Sequence, residues 1–549
     1  MPILVNKCLS ALKNRYIRFT SFKFRRLKVF IYLPLLINSF FLPSCSPYKK
    51  KICINIQAPP MTLDPRRACV FRDVNLIRTF NEGLFRIDRS GTNTKAIAEI
   101  CFLSPDQKTY VITLKKTFWS NGDPLTSYDF INTWKSSLQA GNPSPNASLF
   151  FPIKNAEAIK TGLMDPDTLG VYASDAHSLV IELERPTPYF TELLSLPNFF
   201  PVHKSTDNGP FVWINHEAEY ICNGPFKIHS WEQGKKIIAK KNPYYWDKES
   251  VKTEQLTMVM VKPKTAFNLF KSHQLHWVGA PYSHIPMDKI APTNKSKLLN
   301  RKCLNATYLI RLNTEIYPLN NKLFRNSLAF GINRKDIVDY VLDFTAEIAT
   351  TFVPPSMLIN KATYIEDGNV LKAQHFLDQS LVELMTTKDS LPTLKLIYPK
   401  KERKHKIALA VQDSLRKTLN IQIELEPVSL KDYIERIHKK DYQLALGGWA
   451  AEYRDPISFL DVFKTKNNGS NNTGWESQEY INALENSYHS INHMQRMEHL
   501  VEAESILLSD MPLIPLYHSS MLNLSDENLQ DLILLETGAI DFKWAYLKN

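Results

Sequence analysis

The chain has 549 residues, 44% hydrophobic and 11% aromatic, enough apolar material for roughly two to four domain-sized units and incompatible with wholesale disorder. Its formal net charge is +12, but the first 44 residues hold eight basic and no acidic side chains, so +4 remains for the rest. That remainder, spread over about 500 positions, is no electrostatic footprint for a polyanion, and nucleic acid is set aside as a partner.

At the N-terminus the basic cluster Lys23 to Lys28 precedes an apolar run of 13 residues, Val29 to Phe41, broken by Pro34 and Asn38. The run is too short to span a bilayer and has the length of the apolar core of a secretory signal. It ends in Leu42-Pro43-Ser44-Cys45, which resembles a bacterial lipobox. Residues 1–44 are therefore read as a lipoprotein signal peptide and Cys45 as the lipidated N-terminus of an exported protein, a cell-membrane lipoprotein or periplasmic. The alternative is an ordinary signal in which Cys45 is incidental. Residues 46–51 read as a short polar tether.

Further along, Asp64-Pro65 and Asp123-Pro124 are turn dipeptides. The clearest architecture lies between 393 and 448. Leu394, Leu396 and Tyr398 alternate as a strand that Pro399 ends, and Ile407, Ala410, Val411, Ser414, Leu415 and Thr418 then fall at helical spacing, with lysines and arginines on the other face. Ile421, Ile423 and Leu425 give a second strand, Leu430, Tyr433, Ile434 and Ile437 a second helix, and Tyr442, Leu444 and Leu446 a third strand. A β-α-β-α-β run makes a parallel, doubly wound sheet, whose ligands bind beyond the carboxyl ends of the strands.

That rule points to Gly447-Gly448-Trp449-Ala450-Ala451-Glu452-Tyr453-Arg454-Asp455-Pro456, read as the loop after the third strand. Two glycines would let the backbone turn sharply, Trp449 and Tyr453 offer flat apolar faces, and Glu452 and Asp455 offer carboxylates where a ligand would arrive. The alternative is a strand-end turn in which Asp455-Pro456 starts a helix and the aromatics pack beneath it. In a helix from Met494 to Leu508, Glu504 shares the apolar face, a position from which a carboxylate snorkels or caps a neighbouring loop. Pro512-Leu513-Ile514-Pro515-Leu516-Tyr517 reads as a short edge strand because of its prolines.

Of seven cysteines, the signal would remove Cys8 and lipidation would consume Cys45. The remaining five, Cys53, Cys69, Cys101, Cys222 and Cys303, form no C-x-x-C pair, which argues against a zinc cluster or a dense disulfide scaffold, and any single bridge is left unassigned. There is no G-x-S-x-G elbow, phosphate loop, G-x-G-x-x-G or H-E-x-x-H. No cofactor or metal is implied. An exported hydrolase with a scattered catalytic constellation is the alternative from another functional class.

The motifs, taken together, resemble the extracellular solute-binding proteins of peptide ABC importers, especially the oligopeptide-binding proteins. Thr62-Leu63-Asp64-Pro65 followed by Asn81-Glu82-Gly83-Leu84 is similar to that family's opening, and Trp119-Ser120-Asn121-Gly122-Asp123-Pro124-Leu125-Thr126 to its most diagnostic motif. Asn223-Gly224-Pro225-Phe226, Asn242-Pro243-Tyr244-Tyr245-Trp246, Arg325-Asn326-Ser327-Leu328, the Gly448-Trp449 pair and Pro512 to Tyr517 follow in family order. The resemblance implies an α/β, periplasmic-binding-protein-like Venus flytrap of two lobes with an additional domain, closing on ligand by a hinge. Lobe 1 would comprise 51–85, 205–307 and 519–549, the additional domain 86–204, and lobe 2 308–518.

In the oligopeptide binders an acidic residue three positions after the Gly-Trp tryptophan pairs with the peptide α-amino group, and Glu452 occupies that position, where the family residue is aspartate. A family carboxylate in the first segment falls on Asp73, and a family arginine before the Gly-Trp pair falls on Leu446, so one basic partner is missing. The ligand-binding candidates are Glu452, Trp449, Asp73, Tyr453 and Gly448. The implied function is capture of short peptides, held through their main chain, and delivery to ABC permease transmembrane subunits by a membrane-anchored monomer. A binder of peptidoglycan-derived peptides or another small solute is the alternative within the class.

Overall fold

The computed structural model describes residues 48–49, 51–205, 220–295, 297–358, 363–467 and 469–548. The signal segment and Cys45 lie outside the described residues. Two long antiparallel strands, Asn300–Leu312 and Leu513–Ser525, form the spine of an eleven-stranded mixed sheet. Beyond Leu513–Ser525 lie Trp277–Gly279, Lys51–Asn55, Gln255–Val259, Lys236–Lys241 and Phe226–Glu232. Beyond Asn300–Leu312 lie Leu444–Ala450, Leu394–Pro399 and Ile423–Val428. Each half of the sheet has its own parallel core, 51–55 with 255–259 in one and 394–399 with 423–428 and 444–450 in the other. This is the family-type two-lobed α/β architecture.

Register along the spine breaks where the halves meet. Cys303 pairs with Ser520 and Thr307 with His518, and no pairing spans the residues between. Asn305 fills this gap by donating its N–H to Glu536 O (2.7 Å), accepting from Ala451 N–H (2.8 Å) and receiving the Ser356 hydroxyl on Oδ1 (2.8 Å).

The β-α-β-α-β segment folds as its periodicity predicts, with helices Glu402–Leu419 and Leu430–Lys439 between the strands. Two expectations change. Pro512 to Tyr517 is not a short edge strand, because Leu513–Ser525 is central. Pro515 is accommodated at a register shift opposite Leu309, where its missing N–H interrupts no regular ladder, and its carbonyl accepts from Arg334 Nε at 2.7 Å. Gly447 and Gly448 do not turn the chain. They lie inside the strand, paired with Leu309 and Tyr308.

A separate four-stranded antiparallel sheet runs in the order Ala98–Leu103, Thr109–Leu114, Ser178–Glu182, Val171–Asp175. It packs on helix Ser127–Leu138 around Trp134, Phe150, Phe190 and Phe199. Its hydrophobic core is continuous with that of the 308–518 region.

Candidate functional site

Leucine and alanine at 444–446 bury the start of strand Leu444–Ala450, and two glycines follow before Trp449. The strand keeps pairing with the spine through Ala450, whereas Leu394–Pro399 pairs only with Leu444 and Ala445. The far edge of 447–450 therefore carries no strand. Side chains lie close over both glycines. A Cβ on Gly447 would collide with the Arg311 guanidinium and meet Tyr433 Oη at 2.8 Å, and one on Gly448 would stand 3.1 Å from the Tyr308 ring.

Past the strand, the acidic residues separate by their partners. Asp455 forms a bidentate pair with Arg496, both bonds 2.8 Å, and its Oδ1 also caps helix Ile457–Leu460 through Ile457 N–H at 3.0 Å. Glu192, from the region of the four-stranded sheet, accepts Arg454 N–H at 3.0 Å. Asp73 is fully buried at the start of helix Phe71–Phe80, where its carboxylate takes the N–H groups of Met61 (2.9 Å) and Thr62 (3.3 Å) and Arg72 Nε (3.2 Å). In this structure Asp73 fastens the 61–62 turn. Glu452 alone makes neither hydrogen bond nor ion pair among the described residues. Its side chain reaches solvent, yet the surrounding protein desolvates it enough to raise its pKa.

Of the aromatic candidates, Trp449 is half-buried and donates Nε1–H to Ser458 O at 2.7 Å, so it joins strand to following helix. Tyr453 stacks on Tyr189, ring centroids 5.0 Å apart at 11°. Gly448 is exposed, and its carbonyl accepts from Arg311 Nη2 at 3.2 Å. Thus Gly448, Trp449, Glu452 and Tyr453 lie together, and Asp73 serves another segment.

The sequence reading missed a cationic group beside the same strand. Lys404, in the first turn of helix Glu402–Leu419, places Nζ 3.6 Å over the Tyr308 ring with no anionic partner among the described residues, and desolvation, reinforced by Arg403 and Lys401, lowers its pKa to about 7. Tyr308 stacks on Tyr517 (4.9 Å), and its buried hydroxyl has no hydrogen-bond partner among the described residues. Leu446, where the family arginine would stand, is fully buried, while Arg311 brings a guanidinium over the neighbouring Gly447. The available signal was the position of Lys401, Arg403 and Lys404 at a helix N-terminus following a parallel strand, the place the strand-end rule marks for ligands. Among the described residues the site therefore offers an unpaired carboxylate, a strand edge with no neighbouring strand and an unpaired cationic cluster.

The family model described as "Bacterial extracellular solute-binding proteins, family 5 Middle" matches residues 94–471. The chain is 36% identical over 507 residues to the oligopeptide-binding protein OppA of Bacillus subtilis, covering 91% of this chain and 93% of that one. It is 29% identical to the dipeptide-binding protein DppE of the same organism, covering 90% and 92%. Among solved structures, Listeria monocytogenes OppA bound to peptide superposes with a TM-score of 0.73 at 27% identity, over 91% of this chain and 99% of that one.

Proposed function

The chain belongs to family 5 of the bacterial extracellular solute-binding proteins, and from that premise we propose that it captures short oligopeptides between two lobes and delivers them to the transmembrane subunits of an ABC importer. In this reading lobe 1 comprises 51–85, 205–307 and 519–549, the additional domain 86–204 and lobe 2 308–518. The protein acts as a monomer without a catalytic step, exported and held at the membrane by lipid on Cys45.

The observation that carries the reading is the unpaired, partly desolvated carboxylate of Glu452 amid acidic neighbours that are all engaged. A carboxylate that reaches solvent but has no partner can take a ligand ammonium, and enclosing the two together favours the closed state. The open edge of 447–450 suits main-chain pairing with an extended peptide, which gives affinity without side-chain selection. Lys404, over the Tyr308 ring, suits the peptide carboxylate. Together they favour a ligand with an ammonium at one end and a carboxylate at the other.

Native mass spectrometry of protein purified from cells tests this. Co-purified peptides of roughly two to five residues are expected. A single peptidoglycan-derived species would narrow the ligand to wall fragments, and turnover of added peptide would reject the proposal in favour of a hydrolase.

A further inference from the structure

Three contacts join the segment Arg185 to Glu192, which follows strand Ser178–Glu182 of the four-stranded sheet, to the region 453–496. Tyr189 stacks on Tyr453 at 5.0 Å. Glu192 accepts Arg454 N–H at 3.0 Å and lies 3.6 Å from the Arg454 guanidinium. The Arg185 guanidinium sits 3.7 Å over the Tyr488 ring. The contacts are backed on both sides. Arg496, held bidentately by Asp455, backs Tyr189 at 5.6 Å, and the Tyr488 hydroxyl donates to Asp461. Two of the three contacts fall on Tyr453 and Arg454, the residues immediately after the unpaired Glu452.

We infer that Tyr189 and Glu192 form a clasp that closes the Glu452 end of the cleft by gripping Tyr453 and Arg454, and so determine how long ligand stays bound. The inference rests on the peptide-binding reading. The clasp residues are positioning residues that touch the chain carrying Glu452, not the ligand. A ligand ammonium that orders Glu452 also orders the backbone at 453 and 454, which is the half of the clasp on that side. Binding and clasp closure then reinforce one another by the same factor in either direction. A clasp that ligand reinforces is closed for a larger share of the time with ligand bound than without, so its loss speeds release more than entry.

The test measures association and dissociation of a fluorescently labelled tetrapeptide for the mature protein and for Glu192→Ala, Tyr189→Leu, Tyr453→Leu and the Tyr189→Leu/Tyr453→Leu pair. Hydrogen exchange across 453–455 is followed in the same ligand-free proteins. Each single variant is expected to release peptide about three- to tenfold faster, with association within about twofold, and the pair no faster than its worse member, as for one shared contact. Exchange at 453–455 should rise in every variant. Glu192 is the more accessible of the two clasp residues, so its variant keeps the test open where Tyr189→Leu fails to fold. Wild-type release from folded variants, or unchanged exchange in all of them, would overturn the clasp. If the parent protein takes up no peptide, the peptide reading falls, and the exchange measurement alone decides the clasp.

Discussion

Lys404 holds its ammonium 3.6 Å above the ring of Tyr308, whose hydroxyl is buried without a partner among the described residues. The ring satisfies the cation only in part, and desolvation lowers the lysine pKa to about 7, so at neutral pH the side chain is close to half protonated. A ligand carboxylate would favour the charged form and raise that pKa. Binding should therefore take up a proton near pH 7, and affinity for a free-acid peptide should fall as pH rises above 7, by at most about tenfold per unit. N-acetylated peptides keep the ligand's own amino group out of the titration. Calorimetry in buffers of different ionisation enthalpy measures the proton count, and Lys404→Met should abolish the uptake. The variant should also weaken the free acid by about 2–5 kcal/mol while leaving the C-terminal amide nearly unchanged. Equal losses for acid and amide would place the carboxylate elsewhere.

Glu504 lies on the buried face of helix His493–Asp510 and accepts the N–H groups of Phe352 (3.0 Å) and Val353 (2.7 Å) on one oxygen, Oε1. Burial outweighs these bonds and pushes its pKa up to about 7. The folded state therefore holds the proton more tightly than the unfolded chain, whose value is near 4.3. This contribution to stability is fully present below about pH 4.3 and is lost as pH rises to about 7, roughly 3 kcal/mol in all. His518, between Thr307 (3.0 Å) and Thr351 (3.3 Å), has the opposite sign. Its pKa is lowered to about 4, so stability rises with pH between about 4 and 6.5. Glutamine can present one oxygen to both N–H groups without a charge. Glu504→Gln should match the parent near pH 4 and exceed it at pH 8, read as a higher melting temperature. A variant less stable than the parent at pH 8 would show that the ionised form is the one the fold requires.

Cys45 gives a prediction from sequence alone. Stable anchoring takes two acyl signals where one is marginal, as a diacylated N-terminal cysteine would supply. Cys45→Ser should move the protein from the membrane pellet to the soluble fraction, and retention in the pellet after a high-salt wash would refute lipid attachment there.

Local periodicity made the parallel core of the 394–450 region legible, because Leu394, Leu396 and Tyr398 alternate and Ile407, Val411 and Leu415 share a helical face. Glu504 caps the 352–353 turn, one of the roles its position on an apolar face suggested. What failed depended on neighbours distant in sequence. Gly447 and Gly448 look like a turn until Arg311 and Tyr308 are placed over them. Pro515 looks like an edge signal until a register shift accommodates it. Lys404 and Arg403 look like part of a solvated helix face, since periodicity does not show that the first turn of that helix overlooks Tyr308. The motif order pointed to Glu452, which has no partner among the described residues, and to Asp73, whose oxygens hold Met61 and Thr62.

Titration calorimetry of Glu452→Gln against one peptide in free and N-acetylated forms tests the central claim most directly, because the substitution removes charge and little else. A desolvated charge pair loses roughly 2–5 kcal/mol when one partner goes, against under about 1 kcal/mol for a rim carboxylate. The account predicts that the variant binds the free peptide weaker by about thirtyfold or more and the acetylated peptide almost as the parent does. Equal losses for the two peptides, or no loss for either, would contradict it and place the amino terminus away from Glu452.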